Sequence, residues 1–585
     1  MAQHRYDVHP LVLRRVHVTA ARDLTPRMRR VTLAGDELAA FTRDGLALPA
    51  FNTPMFDDHL KLVFASDGDL RGALPVQLAH GIDWPASDTR QGRDYTPTRF
   101  DPDAGELDLD FVLHGDGPAV TWARTAAPGD DLWFAGPKAS LVLPDGVDWV
   151  LLVGDETALP AIGRFLAERP LGDLPVRAVV SIGHPDARQD LALRPGDDLR
   201  WLVADPLDAD ALLSAVRAVD APAGSPYVWA AAESRVLLPL RRYVSTVLSV
   251  PKTRVTITGY WHRTAEAVDD GSTVPVLDPP DSPVAWFAVR TALAIGLLDC
   301  LAGGPVSPAT AASRCEVDPS GLLPLLAVLE RADVVRPTPD GRLGLGEVGE
   351  LLAADEHLRE RYEGVHADQV IALADLAGAL HGGPSAWERR HGRSLRAAAE
   401  ESPERYADLA EQADVLPFLI TALPRLGLWR RGQKVACGGP GALVIADLVH
   451  QTTGAWTTVV EAPVPLRALL APGETPHRVA QSWDGHDLAI TALALGHRTD
   501  DEAVAHLREL RLATDSAVLI EVTRPDALSP AAHDDALLHL ATVGAPPRSA
   551  GTIAGLAARA GWTLDARHEL GWGVECLVLS ARSGR

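Results

Sequence analysis

Cysteine is scarce in this chain, and acidic residues outnumber basic ones. The 585 residues include four cysteines without a CxxC pair, which excludes a disulfide framework and favours small buried thiols in a reducing compartment. The net charge of -23 argues against a nucleic-acid-binding protein, because such a protein needs a basic surface. The histidines are scattered without metal-ligand spacing, so we predict no protein metal site.

Long apolar runs are also missing. No run approaches the roughly 18 residues of a membrane helix, and the first residues lack the apolar segment of a secretory signal. We therefore expect no membrane partner and a cytoplasmic location. Hydrophobic residues make up 46% of the chain and charged residues 23%, which is typical of globular proteins. At about 150 residues per domain, the length predicts about four domains.

Hydrophobic patterning divides the first half of the chain into two domains. In residues 1–145, short segments alternate or are rich in Val, Leu and Phe, and turn signals separate them. This pattern predicts a small antiparallel β-barrel. In residues 146–267, apolar strands alternate with helices, which predicts a parallel α/β domain.

The second half begins after a linker. Residues 268–283 are rich in Asp, Gly, Ser and Pro without periodicity, so we predict a linker there. Three helical segments and a short hairpin follow, which predicts a winged-helix domain over residues 284–365. A second α/β pattern predicts a Rossmann-like domain over residues 366–585, with its last two strands antiparallel.

A string of motifs in the first half points to one family of flavoenzymes. The motifs, in order, are RDYTPTRFD, DFVLHGDGPAVTWA, AGP, VLLVGDETALPAI and TITGYW. Through them, residues 10 to about 265 resemble the siderophore-interacting proteins, which are FAD-dependent ferric-siderophore reductases with a ferredoxin-reductase-like fold. The resemblance implies an FAD-binding barrel, an NAD(P)H-binding α/β domain and a ferric siderophore or related metabolite as substrate. It also implies electron transfer from NAD(P)H through FAD to Fe(III).

The first of these motifs would hold the flavin. By the resemblance, Arg93 pairs with a flavin phosphate, Tyr95 lies against the ring, and Thr96 hydrogen-bonds the ring near its reactive nitrogen. Thr98 stands where the family has a second arginine. Arg99 is a further candidate, but strand neighbours point to opposite faces, so it needs a bulge or twist to take that place. The alternative for Tyr95 is a packing residue.

Later motifs complete the cofactor sites. The loop from His114 to Ala119, with Gly117, would bring backbone N–H groups to the pyrophosphate. The resemblance places the nicotinamide approach and the closing of the flavin site at six residues, which are Gly154, Asp155, Glu156, Thr157, Tyr260 and Trp261. The alternative for the two carboxylates is the acidic first turn of a helix. A later Ala-Gly-Glu of the family reads Ala231-Ala232-Glu233 here.

Lysines in the first half are very few. Substrate affinity in the resembled family depends on basic residues, so Lys61 and Lys138 are the candidate substrate contacts. The alternative for both is a solvated surface lysine.

The second half resembles a different family. Residues 284–585 are similar to the winged-helix O-methyltransferases, dimeric enzymes that use S-adenosylmethionine. The similarity lies in the helical region up to residue 335 and in the segments AWERRHGRSLRAA, KVACGGPGALVIADLV, TTVVEAP and LGHRTDDEAVAHLREL. It implies a homodimer through the winged-helix region. A DNA-binding winged helix is the structural alternative, and the acidic charge and the complete α/β domain argue against it.

The cofactor motif of this family is altered. The resemblance gives the candidate S-adenosylmethionine contacts as Gly438, Gly439, Gly441 and Glu461, the last holding the ribose. The family has an acidic residue followed by Gly-x-Gly-x-Gly, but Ala436, Pro440 and Ala442 stand at three of those positions. Pro440 also removes a backbone donor at the point of closest approach.

One histidine of the second half is a candidate catalytic base. His497 occupies the place of the family's base and could deprotonate a phenol or a similar oxygen at neutral pH. The alternative is an exposed histidine in a loop, followed by a helix with Asp500 as its N-cap.

These observations leave three functional hypotheses. The first is an FAD-dependent, NAD(P)H-linked reductase of the ferric-siderophore type fused to a methyltransferase-like module, both acting on a chelator or related natural product. The second is a natural-product methyltransferase with a vestigial flavin half. The third is a non-enzymatic dimeric scaffold in which both cofactor sites have decayed.

Overall fold

The computed structural model describes residues 5–113, 115, 117–261, 283–421, 423–430, 432–470, 475–524 and 532–582. The chain forms two compact units, one of Met1–Leu143, Gly163–Pro170 and Gln369–Arg585, and one of Pro144–Ile162 and Leu171–Asp368. Apart from Pro283, the predicted linker lies outside the described residues. Within these ranges, no helix is long and apolar enough to cross a membrane.

The N-terminal part of the first unit is built from short antiparallel strands, as predicted. They are β1 (Arg5–Val8), β2 (Leu13–Thr25), β3 (Met28–Ala34), β4 (Phe41–Arg43), β5 (Leu46–Leu48), β6 (Leu60–Ala65), β7 (Val76–Gln77), β8 (Ile82–Asp83), β9 (Arg90–Tyr95), β10 (Pro97–Asp101), β11 (Glu106–Val112), β12 (Asp131–Ala135) and β13 (Ala139–Val142). Seven of them form one sheet in the order β10-β11-β3-β2-β12-β6-β9. A single helix, α1 (Pro118–Thr125), follows β11.

The edges of this sheet meet at one residue. β9 and β10 are the two edge strands, and only Thr96 separates them in the chain. The sheet therefore curls on itself, and this confirms the barrel. Its interior is filled by inward-facing apolar residues of the strands, including Val16, Val31, Leu33, Leu60, Leu62, Leu107, Leu109 and Phe134.

The second unit contains the predicted parallel α/β layer. Its strands are β14 (Trp149–Gly154), β15 (Val176–Ile182), β16 (Asp198–Val203), β17 (Pro226–Glu233) and β18 (Val255–Trp261), in the order β16-β15-β14-β17-β18. The helices between them are α2 (Leu159–Glu168), α3 (Ala209–Arg217) and α4 (Leu238–Thr246). The strand order reverses at β14, so the carboxyl ends of β14 and β17 form the switch point where ligands bind in such sheets.

The winged-helix outline is confirmed, with one helix more than predicted. Its elements are α5 (Val284–Ala294), α6 (Leu297–Ala302), α7 (Pro308–Arg314), α8 (Pro319–Arg331), β19 (Val335–Pro337), β20 (Leu343–Leu345), α9 (Glu347–Ala354), α10 (Glu356–Glu360) and α11 (Gly364–Ala372). The predicted first helix is split because Gly296, at φ +69°, takes the left-handed conformation between α5 and α6.

The C-terminal part of the first unit is the predicted second α/β domain. Its helices are α12 (Leu376–Leu380), α13 (Ala386–His391), α14 (Leu395–Ala399), α15 (Pro403–Glu411), α16 (Leu416–Leu419), α17 (Ala442–Thr453), α18 (Pro463–Leu470), α19 (Asp500–Ala513), α20 (Ala532–Val543) and α21 (Ala550–Arg559). Its strands are β21 (Lys434–Gly438), β22 (Trp456–Val460), β23 (Arg478–Ala480), β24 (Leu488–Ala492), β25 (Ser516–Val522), β26 (Trp562–Gly571) and β27 (Val574–Ala581).

The strand order of this second sheet is β23-β22-β21-β24-β25-β27-β26. The first five strands are parallel, and β27 is antiparallel to both β25 and β26. The prediction of a Rossmann-like sheet that ends in an antiparallel pair is therefore confirmed.

Candidate functional site

The corner between β9 and β10 carries the first flavin motif. Arg93 is exposed, and in the described part of the chain its recorded hydrogen bond runs from Nη1 to the Gly92 carbonyl at 2.7 Å. Its guanidinium thus keeps donors for an anion. The Tyr95 ring packs on Phe111 with 4.5 Å between centroids, and burial raises the pKa of its hydroxyl. Thr96 is buried at the corner itself.

A β-bulge follows this corner. Pro97 pairs with Leu109 and Arg99 with the adjacent Asp108, so Thr98 is an extra residue in β10. The Thr98 hydroxyl oxygen is buried and has no hydrogen-bond partner among the described residues. An orphaned hydroxyl where the family has an arginine leaves a donor for a ligand oxygen.

The bulge also decides where Arg99 lies. Its guanidinium donates to Asp108 at 2.8 Å, to Glu106 at 2.7 Å and to Asp101 at 3.3 Å. These three carboxylates raise the pKa of Arg99, Asp108 contributing most. The bulge that the sequence required for Arg99 is present, but it brings the side chain to a cluster of acidic residues.

The loop before α1 is open around its glycines. Gly115, at φ +66°, and Gly117, the N-cap of α1, have no described atom within 4 Å of the point where a Cβ would stand. Ala119 is buried in the first turn of α1, and His114 lies outside the described residues. The helix N-terminus and two unobstructed glycines can receive a pyrophosphate.

Carboxylates at the switch point of the second unit are bound by local donors. Asp155 accepts from the Thr157 N–H at 2.8 Å and from the Trp261 indole N–H at 2.7 Å. Glu156 accepts from the Gly183 N–H at 2.9 Å. Asp155 is also the N-cap of a short helical turn, so the alternative interpretation of an acidic helix start describes its local role.

The glycine and the aromatic residues of this switch point have packing roles. A Cβ on Gly154 would lie 2.3 Å from the Ala158 Cβ and 2.9 Å from the Ala231 carbonyl oxygen, so the glycine lets strand and helix approach closely. Tyr260 contacts the Trp229 ring edge-on at 6.2 Å. Glu233 accepts backbone N–H groups from Arg235 and Val236.

The two candidate lysines lie on the barrel. Lys61 on β6 forms an ion pair with Asp94 of β9 at 2.8 Å. Lys138 lies under two aromatic rings of the C-terminal domain, Phe418 at 4.7 Å and Trp572 at 5.8 Å from its Nζ, and burial lowers its pKa. The alternative of a solvated surface lysine is therefore wrong for Lys138. Sequence reasoning missed both aromatic residues, since no local signal shows what they contact.

The glycine turn of the C-terminal domain lies against its own chain. A Cβ on Gly438 would meet the Trp483 ring, one on Gly439 the Ala492 carbonyl oxygen at 2.5 Å, and one on Gly441 Leu416 at 2.7 Å. The Gly439 N–H donates to Glu461 Oε1 at 2.5 Å. Burial raises the pKa of Glu461, although nearby Arg498 and hydrogen bonds from Gly439 and Tyr406 oppose this.

These residues do not form a cradle that fits S-adenosylmethionine. The carboxylate that would hold the ribose already accepts hydrogen bonds from the turn and from Tyr406. Pro440 supplies no N–H, and Ala436 supplies no charge. We therefore derive no methyl-transfer step.

His497 is buried, unlike the exposed loop histidine of the alternative interpretation. Its Nε2 is 2.8 Å from Arg498 Nη1, and it makes a further hydrogen bond to the backbone of Leu493. Burial and Arg498 hold the pKa of His497 well below its usual value. The helix N-cap is Thr499, which forms a capping box with Glu502, so the prediction of Asp500 as the cap is wrong.

Comparison with known protein families agrees with the barrel and the α/β layer that follows it. Residues 17–141 match the siderophore-interacting FAD-binding domain, and residues 147–264 match the siderophore-interacting protein domain. The chain is 34% identical over 256 residues to the NADPH-dependent ferric-chelate reductase of Escherichia coli strain K12, covering 43% of this chain and 94% of that protein. Through its first half, the chain belongs to the siderophore-interacting protein family.

Two solved structures represent the likeness of each half. A siderophore utilization protein from T. fusca has 33% sequence identity and a TM-score of 0.41, covering 46% of this chain and 100% of that one. An O-methyltransferase from neocarzinostatin biosynthesis, solved with S-adenosylmethionine, has 22% identity and a TM-score of 0.41, covering 52% of this chain and 97% of that one.

Proposed function

We propose that the first half of the chain is an FAD-dependent, NAD(P)H-linked reductase of ferric siderophores or related ferric chelates. The observation that carries the proposal is the barrel corner, where the exposed Arg93 and the orphaned Thr98 hydroxyl stand beside Tyr95 and Thr96. In this proposal residues 1–145 bind FAD and residues 146–267 bind NAD(P)H. The family membership supports both assignments.

The residues present fit the flavin. Arg93 and Thr98 would bind phosphate oxygens, and the open loop at Gly115 and Gly117 would receive the pyrophosphate. Tyr95 would pack on the ring. When bound, FAD supplies a carrier that takes up hydride and passes on single electrons. Lys61 and Lys138 would attract an anionic ferric chelate, and because Fe(II) is held less tightly by hard oxygen ligands, reduction would release the iron.

Absorption spectroscopy of the full-length protein tests this function. We expect bound FAD with a visible flavin spectrum, bleaching by NADPH, and recovery of the oxidised spectrum on addition of a ferric chelate. A protein that takes up no FAD at tens of micromolar, or a reduced flavin that ferric chelates leave unchanged, would overturn the proposal.

We infer that the C-terminal domain does not transfer methyl groups. The inference is supported by the glycine turn packed on its own chain and by the enclosed His497. S-adenosylmethionine at saturating concentration should therefore leave the thermal midpoint unchanged, because a ligand stabilises only a protein that it binds. A rise of several degrees would restore the methyltransferase hypothesis.

We also propose a cytoplasmic homodimer. The winged-helix region exposes Val284, Phe287 and Leu323, whose exposed fractions are 51%, 46% and 61%. Apolar side chains of this size favour a protein contact. The four cysteines are unpaired, which suits a reducing compartment. Light scattering should give a dimer that Leu323→Glu dissociates. A monomeric unmodified protein would contradict the dimer.

A further inference from the structure

Two aromatic side chains of the C-terminal domain converge on one lysine of the barrel. Phe418 lies in α16, Trp572 lies in the turn between β26 and β27, and the Lys138 ammonium is within 6 Å of both ring centroids. Rings at this distance attract a cation through their negative faces. Tyr6 of β1 adds a third ring, edge-on to Phe418 at 6.3 Å.

The turn that carries Trp572 is held against the barrel. Trp572 packs on the apolar cluster that includes Leu11 and Leu13. Gly571, at φ +106°, lies so close to β8 that a Cβ would stand 2.7 Å from the Ile82 carbonyl oxygen. Beside it, Arg524 of the C-terminal domain pairs with Asp83 of β8 at 2.7 Å. Close packing and a salt bridge therefore give Trp572 a defined position.

The lysine beneath these rings belongs to a charged cluster next to the flavin motif. In the β6–β9 pairing, Lys61 lies opposite Asp94, and the next pair along the strands is Leu60 with Tyr95. Asp94 and Lys61 both act on Lys138 electrostatically. The rings thus border the lysines that would meet the substrate beside the proposed flavin-contacting Tyr95.

We propose that Phe418 and Trp572 are specificity-determining residues of the reductase, so that the C-terminal domain forms one wall of its substrate site. This inference rests on the proposed function of the first half. Cations attract the negative charge of a ferric chelate, and flat rings pack on flat rings. The wall therefore selects chelates whose iron ligands are aromatic, such as catecholates, over aliphatic carboxylates.

Steady-state kinetics of full-length variants test the wall. The substrates are ferric tris-catecholate and ferric EDTA, and the variants are Phe418→Ala, Trp572→Ala and the milder Phe418→Leu. We expect each alanine variant to raise KM for the catecholate about five- to tenfold, with kcat unchanged and KM for ferric EDTA changed less than about twofold. Phe418→Leu, which keeps apolar volume, should show a smaller shift.

Trp456→Ala is the matched control. Trp456 lies in the same domain, is 62% exposed and stacks on Arg478 without a role in the proposed wall. It should leave both KM values unchanged. Unchanged KM values in the Phe418 and Trp572 variants, or an equal increase for both chelates, would overturn the specificity assignment.

A binding measurement separates this inference from the proposed function. Calorimetry with the redox-inert gallium tris-catecholate reports affinity without turnover. If the unmodified protein binds it and Phe418→Ala weakens binding about fivefold, the wall stands even where no ferric chelate is reduced. Equal binding by both proteins, or none by the unmodified protein, would overturn the wall. Unchanged thermal midpoints identify variants that fold normally.

Discussion

The two glycine turns of the molecule resemble cofactor loops, but their surroundings are opposite. Around Gly115 and Gly117 of the barrel, a side chain would extend into space without described atoms. Around Gly438, Gly439 and Gly441 of the C-terminal domain, it would extend into the protein itself. A glycine-rich turn is therefore a cofactor site only where its missing side chains leave room for a ligand. In a turn packed on its own chain, the same residues serve folding.

Exchanging one glycine in each turn should separate these roles with the largest effect. Gly439→Ala puts a side chain at φ +88° against the Ala492 carbonyl oxygen, so the free energy of unfolding should fall by about 3 kcal/mol. Gly117→Ala should change it by less than about 0.5 kcal/mol but weaken FAD binding. Denaturant titration and flavin fluorescence measure the two quantities. Equal destabilisation by both variants would remove the distinction.

A buried carboxyl of the C-terminal domain should make stability depend on pH. Burial raises the pKa of Glu521 from 4.5 to about 7. The folded protein therefore holds a proton that the unfolded chain releases, and the contribution of this group to stability falls as pH rises from 4.5 to 7. The loss should amount to about 2–3 kcal/mol.

Glu521→Gln tests this pH dependence. The glutamine keeps an oxygen to accept from the Ala494 and Leu495 N–H groups but cannot ionise. The denaturation midpoint of the variant should be less sensitive to pH in this range than that of the unmodified protein. An identical profile would show that Glu521 does not titrate there.

Two arginines of the flavin motif should differ in their effect on FAD. Arg93→Ala should weaken FAD binding about thirtyfold, because a charge-assisted phosphate contact is lost. Arg99→Ala should leave FAD affinity within about twofold, since that guanidinium is engaged by Asp108, Glu106 and Asp101. Fluorescence titration of FAD measures both. A larger loss for Arg99→Ala would mean that Arg99 supplies the family's second arginine contact.

The smallest effect is expected at Thr98. Thr98→Val keeps the shape but removes the orphaned hydroxyl, so FAD affinity should fall about three- to tenfold if that oxygen donates to a phosphate. Thr98→Ser should retain the affinity. Tighter FAD binding by the valine variant would show that the hydroxyl is only a buried unsatisfied group.

Much of the fold could be predicted because it depends on local patterns. Alternation identified the barrel strands, and the apolar segment that ends at Gly154 identified the first parallel strand. The winged-helix region was predicted with one helix too few, since a single glycine in the left-handed conformation, Gly296, divides what reads as a continuous helix. The last two strands were correctly predicted to be antiparallel.

The sequence by itself determined which residues form the flavin motif, their order, and the altered glycine turn. Only the tertiary structure decided that a bulge turns Arg99 toward three carboxylates, and that Phe418 and Trp572 cover Lys138. It also decided that the second glycine turn is closed, because Leu416, Trp483 and Ala492 come to it from distant parts of the chain. Strand and helix periodicity is a local property, but what surrounds a side chain depends on long-range packing.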